Sequence, residues 1–194
     1  MKTVDFYFDL SSPYSYLAAT QIPALQKRCG VEVLWKPMVL AAVFKAADNH
    51  MPAQSPPKAR YMLADLDRWA KKYGVPFVMN SRFPLNTIKP ERLVIAAEHT
   101  GKAPELAIAL FRAMWAEDKD ISSIDEMRAA ARTVGLDSDA LLAAIETGPV
   151  KDKLRAYTDE AIAREAFGAP SFVYRGELYW GNDRMEFLED ALRA

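Results

Sequence analysis

The residues best suited to chemistry stand near the start of the chain, in the run Val4–Ala18, V-D-F-Y-F-D-L-S-S-P-Y-S-Y-L-A. Ser12 precedes Pro13, and serine followed by proline is an N-cap followed by the favoured first helical residue. A helix start offers unpaired backbone N–H groups and the positive end of the helix dipole, which together stabilise an anion such as a thiolate. A serine there can donate its hydroxyl proton to a bound sulfur anion but cannot form a stable disulfide with it. The plainer reading of the same spacing is that Ser12 only caps its helix. Ser11 and Ser15 are weaker candidates, and Ser15 falls where its hydroxyl can serve the backbone. A second polar cluster, Gly181-Asn182-Asp183-Arg184, lies near the other end. The N–H groups of such a turn suit a carboxylate and the Asp183 side chain suits an ammonium, one of each being what a γ-glutamyl group carries. As a purely structural feature, Asp183 would cap the last helix.

The elements around these residues have to bring them together. Val4–Phe8 is apolar apart from Asp5, as expected of a strand at the centre of a sheet. The helix opened by Ser12 ends near Cys29-Gly30, with Pro23 predicting a kink inside it. Val31–Trp35 is a second strand, parallel to the first by a right-handed crossover. From about Leu40 to Phe167 strand signals almost vanish. A proline-rich loop, Asp48–Pro57, leads to a helix over Ala59–Tyr73, and helices follow near Pro90–His99, Pro104–Ala116, Ser123–Val134, Ser138–Glu146 and Val150–Ala166, with Ser122 among the residues that break them. Ser171–Tyr174 and Glu177–Trp180 flank Arg175-Gly176, a hairpin signal, and a last helix covers Arg184–Leu192. The order is that of a thioredoxin-like α/β fold, β-α-β then β-β-α, with a large all-helical domain inserted after the second strand. Residues 1–39 and 150–194 form the thioredoxin-like domain in this reading, and 40–149 the insertion. In such a fold Pro170, in F-G-A-P-S-F, takes the place of the cis proline beside the active-site turn. A cis Ala169–Pro170 bond would leave the Ala169 N–H and C=O free to pair with an extended peptide. A proline that merely opens a strand is the plainer alternative.

Composition narrows the function classes. Lysine and arginine number 25 against 26 aspartates and glutamates, so no field draws in nucleic acid or an anionic membrane. No apolar run reaches the length of a membrane span. The chain enters a strand at once without a leader pattern, which favours the cytoplasm. One cysteine, Cys29, at the far end of the first helix, rules out CxxC chemistry and makes a disulfide oxidoreductase a poor reading. His50 and His99 lack ligand-spaced partners, so no metal site is expected.

Taken together, F-Y-F-D-L-S-S-P-Y-S-Y-L-A, the A-D-N-H-M-P loop, G-A-P-S-F and W-G-N-D-R-M resemble the 2-hydroxychromene-2-carboxylate isomerases and the related kappa-class glutathione transferases, over essentially the whole chain. The resemblance implies glutathione as cofactor, with its sulfur against Ser12. It further implies Asn49, Lys58, Ala169, Pro170, Asn182 and Asp183 as glutathione contacts, and Lys45, Arg82 and Asn86 as substrate-pocket residues. The doubled Ser11-Ser12 departs from the usual leucine-serine, and Ser12 is selected by its place before Pro13. The implied activity is conversion of 2-hydroxychromene-2-carboxylate, or a similar aromatic-catabolism intermediate, to trans-o-hydroxybenzylidenepyruvate by reversible thiolate addition. Ser12 would act as a hydrogen-bond donor to the thiolate rather than a nucleophile, since no base adjoins it. Expected partners are glutathione and a small aromatic-derived carboxylate, and the resemblance implies a homodimer. A kappa-class transferase is the alternative activity, and a non-catalytic thioredoxin-fold binding protein is the alternative from another class.

Overall fold

The computed structural model describes residues 2–51 and 55–194, so that residues 52–54 of the Asp48–Pro57 loop lie outside the described residues. Strand β1 (Lys2–Phe8) is joined to the parallel β2 (Val31–Pro37) by helix α1 (Pro13–Cys29), and the hairpin β3 (Ser171–Tyr174) and β4 (Glu177–Trp180) completes a sheet in the order β2-β1-β3-β4. β3 runs antiparallel to both β1 and β4. The fold is therefore thioredoxin-like with a mixed four-stranded sheet, as the order of elements predicts. Alternation along β1 sorts its side chains to two faces. Phe6 and Phe8 join Trp35 and Phe172 in an aromatic cluster whose ring centroids lie 4.8–5.6 Å apart, and Phe8 reaches Phe111 at 5.6 Å. On the other face Tyr7 packs with Met38, Val43, Ala161 and Val173. Asp5, the polar interruption, pairs with Lys36 at 2.9 Å, and Lys36 also meets Glu160 at 2.8 Å.

Helices α2 (Leu40–Ala46), α3 (Pro56–Tyr73), α4 (Ile88–Ala96), α5 (Ala103–Trp115), α6 (Ile124–Thr133), α7 (Ser138–Ala144) and α8 (Gly148–Ala163) lie between β2 and β3, and α9 (Met185–Arg193) ends the chain. Most match the predicted helices to within a turn. α2 was not predicted, and α3 begins earlier than expected because Pro56 and Pro57 occupy its first turn, where a missing N–H costs nothing. α6 is capped by Ser123, whose hydroxyl accepts the Glu126 N–H, while Ser122 bonds to Asp120. α1 runs as one element through Pro23 and stops at Gly30, whose φ of 59° is the left-handed conformation open to glycine. Arg175 and Gly176, both at positive φ, make the tight hairpin turn. These connections place four segments at one end of the sheet: the start of α1, the α2–α3 loop, the stretch before α4, and the β3 and β4 ends.

Candidate active site

A cavity of about 1300 Å³ opens where those segments meet. Its floor is the β1–α1 turn. Ser12 is the N-cap of α1: its Oγ accepts the Ser15 N–H at 3.1 Å and donates to the Ala169 carbonyl at 3.2 Å. Pro13 has no N–H, and the Ser12 N–H is spent on the Asp9 carbonyl at 2.9 Å. The donors left for a ligand at this helix start are thus the Tyr14 N–H and the Ser12 hydroxyl, which can leave Ala169 for a better acceptor.

Opposite lies the stretch 167–170. The Ala169–Pro170 bond is cis, and the Ala169 N–H finds no acceptor among the described residues. Asn49 pins this stretch from outside, its Nδ2 donating to the Phe167 carbonyl at 2.8 Å while its Oδ1 accepts the His50 N–H at 2.8 Å. Trp180 holds it from the other side. Its ring lies 4.9 Å from that of Phe167, and a Cβ on Gly168 would come within 2.5 Å of the indole nitrogen, so only glycine admits that approach.

The turn after β4 closes one end of the cavity. Gly181, at φ 101°, donates its N–H to the Pro170 carbonyl at 2.9 Å, and a Cβ there would collide with the Asp183 carboxylate. Asn182 is buried and clasped by Tyr73, whose hydroxyl donates to the Asn182 carbonyl at 3.0 Å. Asp183 does not cap α9, which has no side-chain cap; its carboxylate pairs with Arg184. Along the remaining wall stand Val39, Leu40, Phe44, Met51, Met62, Trp69, Phe83, Leu85 and Ile88, an apolar surface with Lys58 beside it. Tyr14 spans the cavity to α3, its hydroxyl donating to Asp65 at 3.0 Å, and burial with that bond pushes the phenol well above its ordinary range.

Of the residues singled out from sequence, Ser12, Asn49, Lys58, Asn86, Ala169, Asn182 and Asp183 line this cavity, and Pro170 sits behind Ala169. Lys45 and Arg82 do not. Lys45 is exposed in the last turn of α2, and the Arg82 guanidinium turns to the Asp118 carbonyl at 3.0 Å, away from the cavity. Neither side chain lines the cavity in this structure, Lys45 lying on α2 and Arg82 in the stretch before α4.

Sequence reading missed a buried acid pair, Asp9 and Glu91, which also line the cavity. The Asp9 carboxylate accepts the Ser11 N–H (2.8 Å), the Ser11 hydroxyl (2.7 Å), the Thr87 hydroxyl (2.9 Å) and the Leu40 N–H (2.9 Å). Glu91 is 1% exposed and accepts the Leu10 N–H on Oε1 at 2.5 Å. Burial, and then the nearby Asp9 charge, raise the Glu91 carboxyl well above the usual range. The local signal was Asp9 two residues before Ser11, an Asx-type spacing; for Glu91 there was none.

A family model described as a DSBA-like thioredoxin domain matches residues 3–193. A 2-hydroxychromene-2-carboxylate isomerase of Sphingobium xenophagum is 35% identical over 193 residues, covering 98% of each chain. Glutathione S-transferase kappa 1 of Rattus norvegicus is 28% identical over 201 residues, 96% of this chain and 89% of that one. A solved structure of a 2-hydroxychromene-2-carboxylate isomerase superposes with a TM-score of 0.90 at 29% identity, covering 98% of this chain and 94% of the other.

Proposed function

Since the chain belongs to the DSBA-like thioredoxin family and shares its full length with isomerases and kappa-class transferases, we propose that it is a glutathione-dependent isomerase acting on 2-hydroxychromene-2-carboxylate or a similar unsaturated aromatic 2-oxo acid. The observation that carries this reading is the meeting of a cysteine-free helix start at Ser12 with the Ala169 peptide, whose N–H finds no acceptor among the described residues, at the edge of a large, largely apolar cavity. Glutathione, when bound, would supply the thiolate that adds reversibly to the substrate, a group absent from the cavity lining among the described residues.

The residues fit such a guest. The Ala169 N–H has no acceptor among the described residues, as an edge awaiting an extended peptide would. In this reading the Ser12 hydroxyl turns from the Ala169 carbonyl to the sulfur, and with the Tyr14 N–H and the α1 dipole it lowers the thiol pKa. Asn182 and Asp183 receive the γ-glutamyl end, and Asn49 acts through the Phe167 carbonyl by fixing the stretch that presents Ala169. Lys58 supplies a cation for a carboxylate, and Asn86 a polar contact beside the apolar wall that receives the aromatic ring.

The test is product formation with thiol accounting. Incubation with glutathione and 2-hydroxychromene-2-carboxylate should give trans-o-hydroxybenzylidenepyruvate with free thiol unchanged. Thiol loss in proportion to product would replace the isomerase reading by a transferase, and no glutathione-dependent turnover would remove both.

A further inference from the structure

The acid pair beneath the Ser11–Ser12 turn has no part in the chemistry proposed above. Four donors converge on Asp9, from β1–α1, α2 and the residue before α4, so this one side chain ties three segments of the cavity floor together. Each of its two carboxylate oxygens thus has a donor. Glu91 is the opposite case. It is buried, its Oε1 has one donor, and its Oε2 finds no hydrogen-bond donor among the described residues. A charged oxygen left so would be costly, and two buried carboxylates side by side do not both ionise.

We propose that Glu91 is a positioning residue of the site, carrying a proton that it shares with Asp9, so that a single negative charge organises the Ser11–Ser12 turn. The proton gives Oε2 the partner it otherwise lacks, and it lets the Asp9 carboxylate keep its donors without facing a second charge. The functional consequence rests on the glutathione reading: the charge of the pair acts on any thiolate held at Ser12, and one charge opposes it less than two. Rising pH that removes the shared proton therefore weakens thiolate binding.

Asp9 is the charged group that acts on Glu91. On α4 itself, Arg92 turns to Glu146 beyond α7, at 3.8 Å. On β2, Lys36 is held by Asp5 and Glu160. α5 presents neutral Trp115, its Nε1 donating to the Leu10 carbonyl at 2.8 Å, and α8 presents Thr158, its hydroxyl donating to Leu154 at 2.8 Å.

Two measurements test this, the first without any ligand. Infrared spectroscopy of the free wild-type protein at about pH 6 should show a protonated carboxyl band that disappears in Glu91→Gln and on alkaline titration of the wild type. Absence of that band overturns the shared proton, and the wild-type titration decides even if the variant does not fold. In the second, calorimetry gives glutathione affinity across pH for both proteins, and ionisation of the free thiol cancels in their ratio. The wild-type affinity should fall relative to Glu91→Gln by about tenfold as the pair takes on its second charge. Parallel profiles overturn the positioning role. Absence of glutathione heat in both proteins overturns the glutathione reading instead, and leaves the infrared result to decide the proton.

Discussion

Replacing Ser12 with alanine removes an acceptor and a donor at once, and the two losses are separable by experiment. As N-cap, Ser12 satisfies the Ser15 N–H at 3.1 Å, a role worth about 1 kcal/mol. Its bond to the Ala169 carbonyl, long at 3.2 Å, adds about 0.5 kcal/mol. A loss of about 1.5 kcal/mol should lower the unfolding midpoint of a chain this size by roughly 3–6 °C. The effect on a bound thiol is worked from the same geometry. A hydrogen bond to a charged acceptor contributes about 1.5–3 kcal/mol, from which the abandoned Ala169 bond subtracts about 0.5. The remainder corresponds to a rise of about one to two units in the thiol pKa. Thermal unfolding reads the first effect, and ultraviolet absorbance of the thiolate during a pH titration of the glutathione complex reads the second. A lowered midpoint with an unmoved thiol pKa would mean that Ser12 caps its helix and does nothing more, which would refute the reasoning for its catalytic part.

Other substitutions test other parts of the account. Gly181→Ala places a side chain at φ 101° against Asp183, and should cost about 1–3 kcal/mol in thermal unfolding together with a clear drop in glutathione affinity by calorimetry. Arg82→Ala and Lys45→Ala, outside the cavity, should leave kcat/KM within roughly twofold of wild type; a large loss in steady-state kinetics would return these cations to the site. Glu91→Gln bears on stability as well as binding. The folded protein holds the Glu91 proton above the range where the unfolded chain releases it, so the Glu91 contribution to stability is fully present only at acid pH. It falls as pH rises from about 4.3 through the raised folded value. Denaturant unfolding at several pH values should show this slope in the wild type and a flatter one in Glu91→Gln.

What the sequence disclosed follows from how local each signal is. Ser12-Pro13, Gly30 and Arg175-Gly176 act on their immediate neighbours, and each caps or turns the chain where its type predicts. α2 escaped notice because Val39 gives it no side-chain cap. Its first N–H is instead taken by Asp9, 31 residues away in sequence, next to the positive end of the helix. Glu91 is hidden for the same reason: a glutamate in the first turn of a helix ordinarily faces water, and only the packing of α4 under the β1–α1 turn buries it. Arg82 shows the converse. Its type suited a carboxylate-binding loop, but side-chain direction depends on Asp118, which the sequence places far along the chain. Asn49 falls between these cases, being at the predicted site but bonded to the Phe167 carbonyl.

The most direct test is a crystal structure of the protein soaked with glutathione. The account predicts the sulfur within hydrogen-bond reach of the Ser12 Oγ, the peptide paired with the Ala169 backbone, and the γ-glutamyl end at Asn182 and Asp183. Glutathione bound elsewhere, or a cavity that takes none at saturating concentration, would contradict it.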